Sequence, residues 1–313
     1  MNGQGSLFFR SMGMINIKRD FKRNKMIYFL VLPVVLYFFI FSYIPMAGIV
    51  MAFENFTPKG GVFGSEWVGL ANFTDFFSSV YFTRVLGNTF LISFFGFVFG
   101  FPAPVLFALL LNEVGNKLFK RTVQTISYMP HFISLVVICG IIADFTASTG
   151  VVTDIFVALG GQRDNLLGKA ELFRTIYIAS DIWQSVGFGS IIYLAALSSI
   201  DQELYQAAYL DGAGRLRQTW HITLPGIAST IIILIILRLG LMLSVGFEKI
   251  ILLYSPVTYE TADVISSFVY RKGLQEFSYG YSTAVGLFNS VINTVLLVTT
   301  NALSKKFSET SLF

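Results

Sequence analysis

Six long apolar stretches, separated by polar segments, dominate the pattern of hydrophobic and polar positions along the chain. They are Met26–Phe53, Val85–Asn112, Thr122–Ala143, Thr175–Ile200, Ile222–Phe247 and Phe277–Ser304. At about 1.5 Å per residue, each stretch is long enough to cross about 30 Å of hydrocarbon as a helix. Only Asp181 and Arg238 place a charge inside one of them. The pattern predicts an all-α polytopic membrane protein with six transmembrane helices, called spans one to six.

The composition agrees with a membrane location. Hydrophobic residues make up 54% of the 313 residues and charged residues only 13%, against about 25% charged residues in soluble domains. Most lysines and arginines flank the spans on one side: before span one, after span six, and after spans two and four. Because cytoplasmic segments carry the excess of positive charge, both termini are predicted to be cytoplasmic. The basic balance therefore reflects topology, and no nucleic-acid partner is expected.

Two regions follow from this pattern. Residues 1–25 form a cytoplasmic basic amphipathic segment that is expected to be attracted to anionic membrane lipid. Residues 26–313 form the transmembrane domain. Within that domain the 199–225 loop, between spans four and five, is an unusually long polar segment whose sequence predicts a structure of its own.

The first half of the 199–225 loop is predicted to be a short helix. Ser199 or Asp201 can cap its start by accepting a backbone N–H. Leu204, Ala207 and Ala208 then recur at helical spacing and predict its apolar side.

A turn and a second short helix complete the loop. The Asp211-Gly212 pair ends the first helix, because glycine readily adopts the left-handed conformation. Leu216 and Trp220 predict the apolar side of the second helix, and Pro225 is expected to stop it at the membrane edge. The loop is thus predicted to be a helix–turn–helix that docks in a groove on another protein.

No catalytic or metal-binding constellation stands out in the sequence. The two histidines are His131 and His221, so a histidine-based metal cluster is not predicted. Gly168-Lys169 is followed by Ala170 and lacks the earlier glycine of a phosphate-binding loop. The chain is predicted not to be an enzyme, to bind no cofactor or metal itself, and to use energy supplied by another subunit.

The 199–225 loop closely resembles the cytoplasmic coupling loop of bacterial ABC-importer permeases, whose pattern is Glu-Ala-Ala-x-x-x-Gly followed by Ile-x-Leu-Pro. The candidate ATPase-coupling residues on this basis are Tyr205, Gln206, Ala207, Ala208, Asp211, Gly212, Ala213, Trp220, Leu224 and Pro225. Gln206 departs from the family, which most often has glutamate there. The amide keeps a hydrogen-bonding oxygen but cannot form the salt bridge of a carboxylate.

Other motifs narrow the resemblance to carbohydrate uptake. Tyr128–Ser134, Ile182–Phe188, Gly246–Glu248 and Glu260–Ile265 look like the lipoprotein/polysaccharide-type permeases that import oligosaccharides. The similarity covers roughly residues 15 to 306. It implies a type I ABC importer fold with core spans over residues 85–304, in the bacterial cytoplasmic (inner) membrane.

The resemblance also implies partners. They are a second related permease, two ATPase subunits, an extracytoplasmic solute-binding protein and a saccharide substrate, with ATP and Mg²⁺ bound by the ATPase subunits. Span one is expected to pack across the partner permease. An ATP-independent secondary transporter or channel is the alternative, and a membrane-embedded enzyme is a third interpretation without supporting residues.

Polar side chains within the spans give a candidate substrate path. Its residues are Asp181, Trp183, Gln184, Arg238, Asn289 and Asn293. Aromatic faces, amides and charged groups together suit a saccharide. Each also has a structural alternative: Arg238 could pair with Asp181, Trp183 could pack between helices, and the asparagines could form interhelical hydrogen bonds.

Two further features concern the shape of the bundle. Pro102 and Pro104 predict a kink in span two. Ala262, Val264, Ile265, Phe268 and Val269 form an apolar stripe ahead of span six. The stripe predicts a short surface helix that either contacts a partner outside or packs on the bundle as a lid.

Overall fold

The computed structural model describes residues 23–240, 242–243 and 245–307. The predicted basic amphipathic segment at residues 1–25 therefore lies almost entirely outside the described residues.

Over the described residues the fold is helical apart from one small hairpin. The α-helices are α1 (Lys25–Phe38), α2 (Gly61–Gly64), α3 (Ala71–Ser78), α4 (Val80–Gly100), α5 (Pro102–Glu113), α6 (Lys117–Phe132), α7 (Leu135–Thr146), α8 (Val151–Ala158), α9 (Ala170–Ser198), α10 (Gln202–Leu210), α11 (Arg215–Gln218), α12 (Leu224–Gly226), α13 (Ala228–Gly240), α14 (Phe247–Leu253), α15 (Tyr259–Ala262), α16 (Ile265–Tyr270) and α17 (Tyr279–Phe307). π-Helical turns occupy Phe39–Tyr43, Thr219–Thr223 and Arg271–Gln275, and 3₁₀ segments occupy Ile44–Phe53, Leu166–Gly168 and Pro256–Thr258. Strands β1 (Glu54–Asn55) and β2 (Glu66–Trp67) pair antiparallel.

The number of membrane-crossing helices equals the six predicted spans when two pairs of bent helices are each counted as one span. Four stretches are long and apolar enough by themselves: Lys25–Phe53, Val80–Glu113, Leu135–Ala158 and Tyr279–Ala302. The bent pairs are Ala170–Ser198 with Gln202–Leu210, at 71°, and Arg215–Gly226 with Ala228–Gly240, at 61°. An all-helical polytopic membrane fold is thereby confirmed.

The bounds of span three differ from the prediction of one helix over Thr122–Ala143. Helix α6 ends at Phe132, and α7 begins at Leu135 after an extended residue, Ile133. The Ser134 hydroxyl accepts the Val137 N–H at 3.5 Å and so starts a new helix. The apolar stretch long enough to cross the membrane is Leu135–Ala158.

Span five is shorter than predicted. Helix α13 ends at Gly240, whereas the apolar stretch runs to Phe247, which instead begins α14. The N–H of Leu243 donates to Asn293 Oδ1 at 3.1 Å instead of continuing the helical ladder. Helix α14 follows and packs on α7 and α16.

Helix α9 is central to the packing, contacting α4, α5 and α6. Its closest approach to α6 is at Gly187, where an added Cβ would lie 2.2 Å from the Ser127 carbonyl oxygen. Span two is interrupted at the prolines, because Phe101 separates α4 from α5 and Pro102 begins the second helix, yet Val80–Glu113 still forms one membrane-crossing stretch. By contrast, α1 buries none of its residues within this chain.

The apolar stripe ahead of span six packs on the bundle. Ala262, Val264, Ile265 and Phe268 are fully buried, which agrees with the lid alternative. The buried Asp263 carboxylate accepts hydrogen bonds from Ser267 and Arg271. Burial lowers the pKa of the Arg271 guanidinium, but the hydrogen bond and charge of Asp263 outweigh burial and raise it above its ordinary value. The Arg271 guanidinium therefore keeps its charge beside the buried Asp263 carboxylate.

Candidate functional site

The 199–225 loop forms the predicted helix–turn–helix. Of the two proposed caps, Asp201 is used, because its Oδ1 accepts the Glu203 N–H at 2.9 Å. Gly212 has φ +75°. The Ala213 N–H donates to the Ala208 carbonyl at 2.9 Å, and the Gly212 N–H donates to the Tyr209 carbonyl at 3.0 Å. These two bonds form a Schellman motif, for which glycine is the preferred residue at the left-handed position.

The face of α10 that packs on the bundle differs from the prediction. Leu204 and Ala207, expected on the apolar side, are exposed, whereas Tyr205 and Ala208 are half-buried. The Tyr205 ring packs against the Ile200 and Ile227 cluster, and its hydroxyl lies 3.0 Å from Thr223 Oγ1. This position suits Tyr205, because its ring has apolar contacts and its hydroxyl has a hydrogen-bond partner.

Pro225 does not stop the second half of the loop. It lies inside α12, and the chain bends 61° only after it, at Ile227. A proline is tolerated there because it occupies the first turn of a helical segment, where its missing N–H costs no hydrogen bond.

Large apolar side chains on the loop remain uncovered in this chain. Leu210 is 85% exposed and Trp220 is 68% exposed, and Tyr209 and Leu216 are also exposed. Gln206 is exposed on the same helix, while Asp211 is exposed and Ala213 half-exposed at the turn, and Leu224 is half-buried. Several large exposed apolar side chains on one loop are typical of a protein–protein contact.

A cavity of about 500 Å³ lies among α4, α9, α13 and α14. It brings together Asp181, Gln184 and Arg238 from the predicted substrate path. The aromatic residues at its wall are Phe97, Tyr177 and Phe247, and Glu248 and Lys249 add one charge each. The volume is that of a site for a small molecule or a few sugar residues.

The partner of Asp181 is Lys249, not Arg238. Lys249 Nζ lies 3.5 Å from Asp181 Oδ1, and Lys249 is only 4% exposed. Its ammonium also lies 5.1 Å from the centre of the Tyr177 ring, a cation–π distance. Helix α14 returns to the bundle after Gly246 and so places Lys249 beside span four. The alternative in which Arg238 pairs with Asp181 is therefore not the arrangement seen.

Arg238 is the cavity cation that keeps its charge available. It is exposed to the cavity, and no salt bridge within 4.0 Å involves it among the described residues. The cavity therefore presents a guanidinium without a carboxylate partner next to a neutralised Lys249–Asp181 pair.

Trp183 lies away from the cavity. It lines a separate groove of about 410 Å³, among Ile141, Phe145 and Val152, and so packs on an apolar surface. Asp181 and Gln184 are three residues apart and share a helix face, whereas Trp183 falls on another face. Trp183 is 44% exposed in this groove, so the geometry favours a structural role for it, at the outer interface or between helices, over a place in the cavity.

The two asparagines of span six lie outside the cavity lining as well. Asn293 Oδ1 accepts the Leu243 N–H at 3.1 Å, which agrees with a structural role at the end of α13. Asn289 Oδ1 is buried and has no hydrogen-bond partner among the described residues.

Sequence reasoning missed several cavity residues, among them Phe97, Tyr177, Phe247, Glu248 and Lys249. Phe247 and Glu248 lie in the Gly246–Glu248 motif, which was assigned to the resemblance but not to the site, and Lys249 follows that motif directly. This motif was the signal available in the sequence. The lysine that follows it belongs to α14, which packs on the bundle.

Comparison with known families decides the class. Residues 100–309 match the model of the family described as "Binding-protein-dependent transport system inner membrane component". The chain belongs to this family. Its expected identity as an ABC-importer permease of the sugar-uptake branch is confirmed, and the ATP-independent and enzymatic alternatives are set aside.

Relatives of this permease are known by name. It is 45% identical over 93% of its length to Protein LplB of Bacillus subtilis, covering 92% of that protein. It is 43% identical to the polygalacturonan/rhamnogalacturonan transport system permease protein YteP of the same organism, with 93% of this chain and 91% of that one covered.

A solved structure shares the permease's fold. It is a bacterial alginate ABC transporter in complex with an alginate pentasaccharide-bound periplasmic protein. The matched chain is 44% identical with a TM-score of 0.86, and the match covers 94% of this permease and 99% of that chain. The type I importer fold is thereby established for an inner-membrane permease.

Proposed function

We propose that this permease imports acidic oligosaccharides, chains of sugars that carry carboxylates, through the cavity at Arg238. Two of its relatives belong to transport systems for polygalacturonan/rhamnogalacturonan and for alginate. The observation that carries the proposal is the Arg238 guanidinium, which faces the cavity without a salt bridge among the described residues. A planar guanidinium binds a carboxylate bidentately, and so suits a uronate.

The rest of the cavity suits sugar hydroxyls. The carboxylates of Asp181 and Glu248 and the amide of Gln184 can accept hydrogen bonds from hydroxyl groups. Phe97 and Phe247 give apolar faces against which a sugar ring can pack. The ion pair with Lys249 holds the Asp181 carboxylate at the cavity wall before a ligand binds.

Energy for the cycle comes from partner subunits in this proposal. Two ATPase subunits bind ATP and Mg²⁺, and the permease binds neither. One ATPase docks on the exposed surface of Leu210, Leu216 and Trp220, and its closure moves the 199–225 loop together with the attached spans. A second related permease covers the exposed α1. A solute-binding protein delivers the saccharide on the membrane face opposite the two termini.

A matched pair of substrates tests the proposal. The complete importer, reconstituted with its binding protein in liposomes, is given oligogalacturonate or the same chain after reduction of its carboxyl groups to alcohols. The parent permease should import the acidic chain at least about tenfold faster, because a charge-assisted hydrogen bond is worth about 1.5–3 kcal/mol. Arg238→Gln should abolish the preference and Arg238→Lys should keep part of it. Equal preference in parent and Arg238→Gln would refute the role of this residue.

A further inference from the structure

A second, polar pocket of about 480 Å³ lies at the opposite end of the bundle from the 199–225 loop. It forms where the end of span one meets the segments that lead into α4 and α17. Its chemically distinctive residues are Glu54, Asn55, Asp75, Lys272, Phe277 and Tyr279. None of these belongs to the cavity at Arg238.

Glu54 is the informative residue of this pocket. It is only 4% exposed, and its Oε2 atom is buried without a hydrogen-bond partner among the described residues. Neighbouring groups are already engaged: the Asn72 amide donates to the Ala52 and Glu54 backbone carbonyls, at 3.0 and 3.1 Å. A buried carboxylate oxygen without a donor is costly. Because Oε2 itself is buried, a ligand hydroxyl in the pocket would reach Glu54 at its other carboxylate oxygen.

Aromatic side chains form the wall and the rim of the same pocket. Phe56 and Tyr279 meet edge to face, with ring centroids 5.6 Å apart. Phe277 is 68% exposed and has φ +57°, the one described non-glycine residue with positive φ. Such a conformation is strained for a bulky residue, and backbone strain of this kind clusters at ligand sites. It keeps the Phe277 ring at the pocket mouth.

The charge of the pocket selects among ligands. Glu54 and Asp75 contribute two carboxylates, whereas Lys272 is paired with Glu276. Uronate carboxylates are therefore disfavoured here. A metal ion is not favoured either, because no group of three or more histidine, cysteine or acidic residues is arranged for one within the described ranges. Hydroxyl groups fit, since carboxylates and amides accept their hydrogen bonds and rings cover the apolar face of a sugar.

We propose that this pocket is a second saccharide subsite, which accepts an uncharged sugar residue by hydrogen bonds to Glu54 and by packing on Phe277. The proposal rests on saccharide import as the function of the permease. It adds that the two sites recognise different parts of a mixed chain. The cavity at Arg238 recognises carboxylates, and this second pocket recognises a neutral sugar residue.

The test uses the complete importer in lipid nanodiscs without its binding protein. Saturation-transfer NMR measures binding of α-1,4-galactobiose and of digalacturonate, which share linkage and ring stereochemistry but differ in charge. Galactobiose should give a saturable signal with the parent permease, and digalacturonate should bind this pocket more weakly. Glu54→Gln and Phe277→Ala should each weaken galactobiose at least about tenfold.

Two controls separate this role from a structural one. Glu66→Gln, an exposed residue on the neighbouring strand of the same hairpin, should leave galactobiose binding unchanged. Glu54→Gln should melt at the same temperature as the parent or higher, because it removes a buried charge without a partner. Uptake of the acidic chain by the Arg238→Gln importer is measured separately from galactobiose binding by Glu54→Gln, so failure of the uptake proposal and failure of this one are distinguishable. Absence of a galactobiose signal in the parent, or an equal signal in Glu54→Gln, would overturn the subsite.

Discussion

The turn at Gly212 allows a test of the coupling loop in which only the backbone is perturbed. Gly212 has φ +75°, and an added Cβ would meet nothing within 4 Å, so the first side-chain atom causes no clash. The left-handed conformation costs an L-residue roughly 1–2 kcal/mol, and a β-branched residue is the least tolerant of it. Gly212→Val should therefore disfavour the Schellman geometry by a factor of about 5 to 30.

The assay follows the ATPase subunits. The importer is purified through a tag on the permease, and both the retained ATPase and the ATP hydrolysis stimulated by loaded binding protein are measured. Gly212→Val should lower both, without loss of the permease from the membrane, because the turn lies at the surface. Gly212→Asn should be tolerated, since asparagine adopts positive φ more readily.

A second glycine in the loop gives the matched control. Gly214 also has nothing within 4 Å of an added Cβ, but its φ is −66°, which every residue adopts. Gly214→Ser should behave as the parent, because serine is a good residue at a helix start. If Gly212→Val retains and stimulates the ATPases as well as Gly214→Ser does, the positive φ of this turn has no part in coupling.

Three further expectations follow from the site. Lys249→Met should deprive Asp181 of its partner and lower the stability of the complex by about 1–3 kcal/mol; a second change, Asp181→Asn, should recover most of the melting temperature, and no recovery would contradict the pair. Trp183→Ala should leave saccharide uptake unchanged while Phe247→Ala reduces it, and the opposite order would show that the wrong aromatic was placed in the cavity. Gln206→Glu should retain the ATPases nearly as well as the parent, whereas Gln206→Leu should retain fewer; equal retention in all three proteins would show that this side chain makes no contact with the partner.

The elements that sequence could predict are those with local causes. Six apolar stretches predict six spans because crossing hydrocarbon requires length and low polarity, and both are visible in the sequence. The turn at Gly212 was also predictable, since glycine at a helix end has a conformational reason to be there. In each case a few neighbouring residues contain the whole cause.

The site depends on contacts between segments that are distant in sequence, and such contacts are harder to predict from the sequence. Composition placed Asp181, Trp183 and Gln184 in one cluster, yet the helix turns Trp183 away from the cavity. The pairing of Lys249 with Asp181 spans 68 positions in sequence. It requires α13 to end early and α14 to return to the bundle, which hydropathy does not show.

ATP-dependent transport by the purified importer tests the central claim most directly. Liposomes containing this permease, its partner permease and the ATPase subunits are loaded with ATP and Mg²⁺, and the uptake of oligogalacturonate delivered by the binding protein is followed. We predict uptake that requires both internal ATP and the binding protein and that falls in the Gly212→Val importer. Uptake at the same rate without ATP would contradict the assignment of this chain as the permease of an ATP-driven saccharide importer.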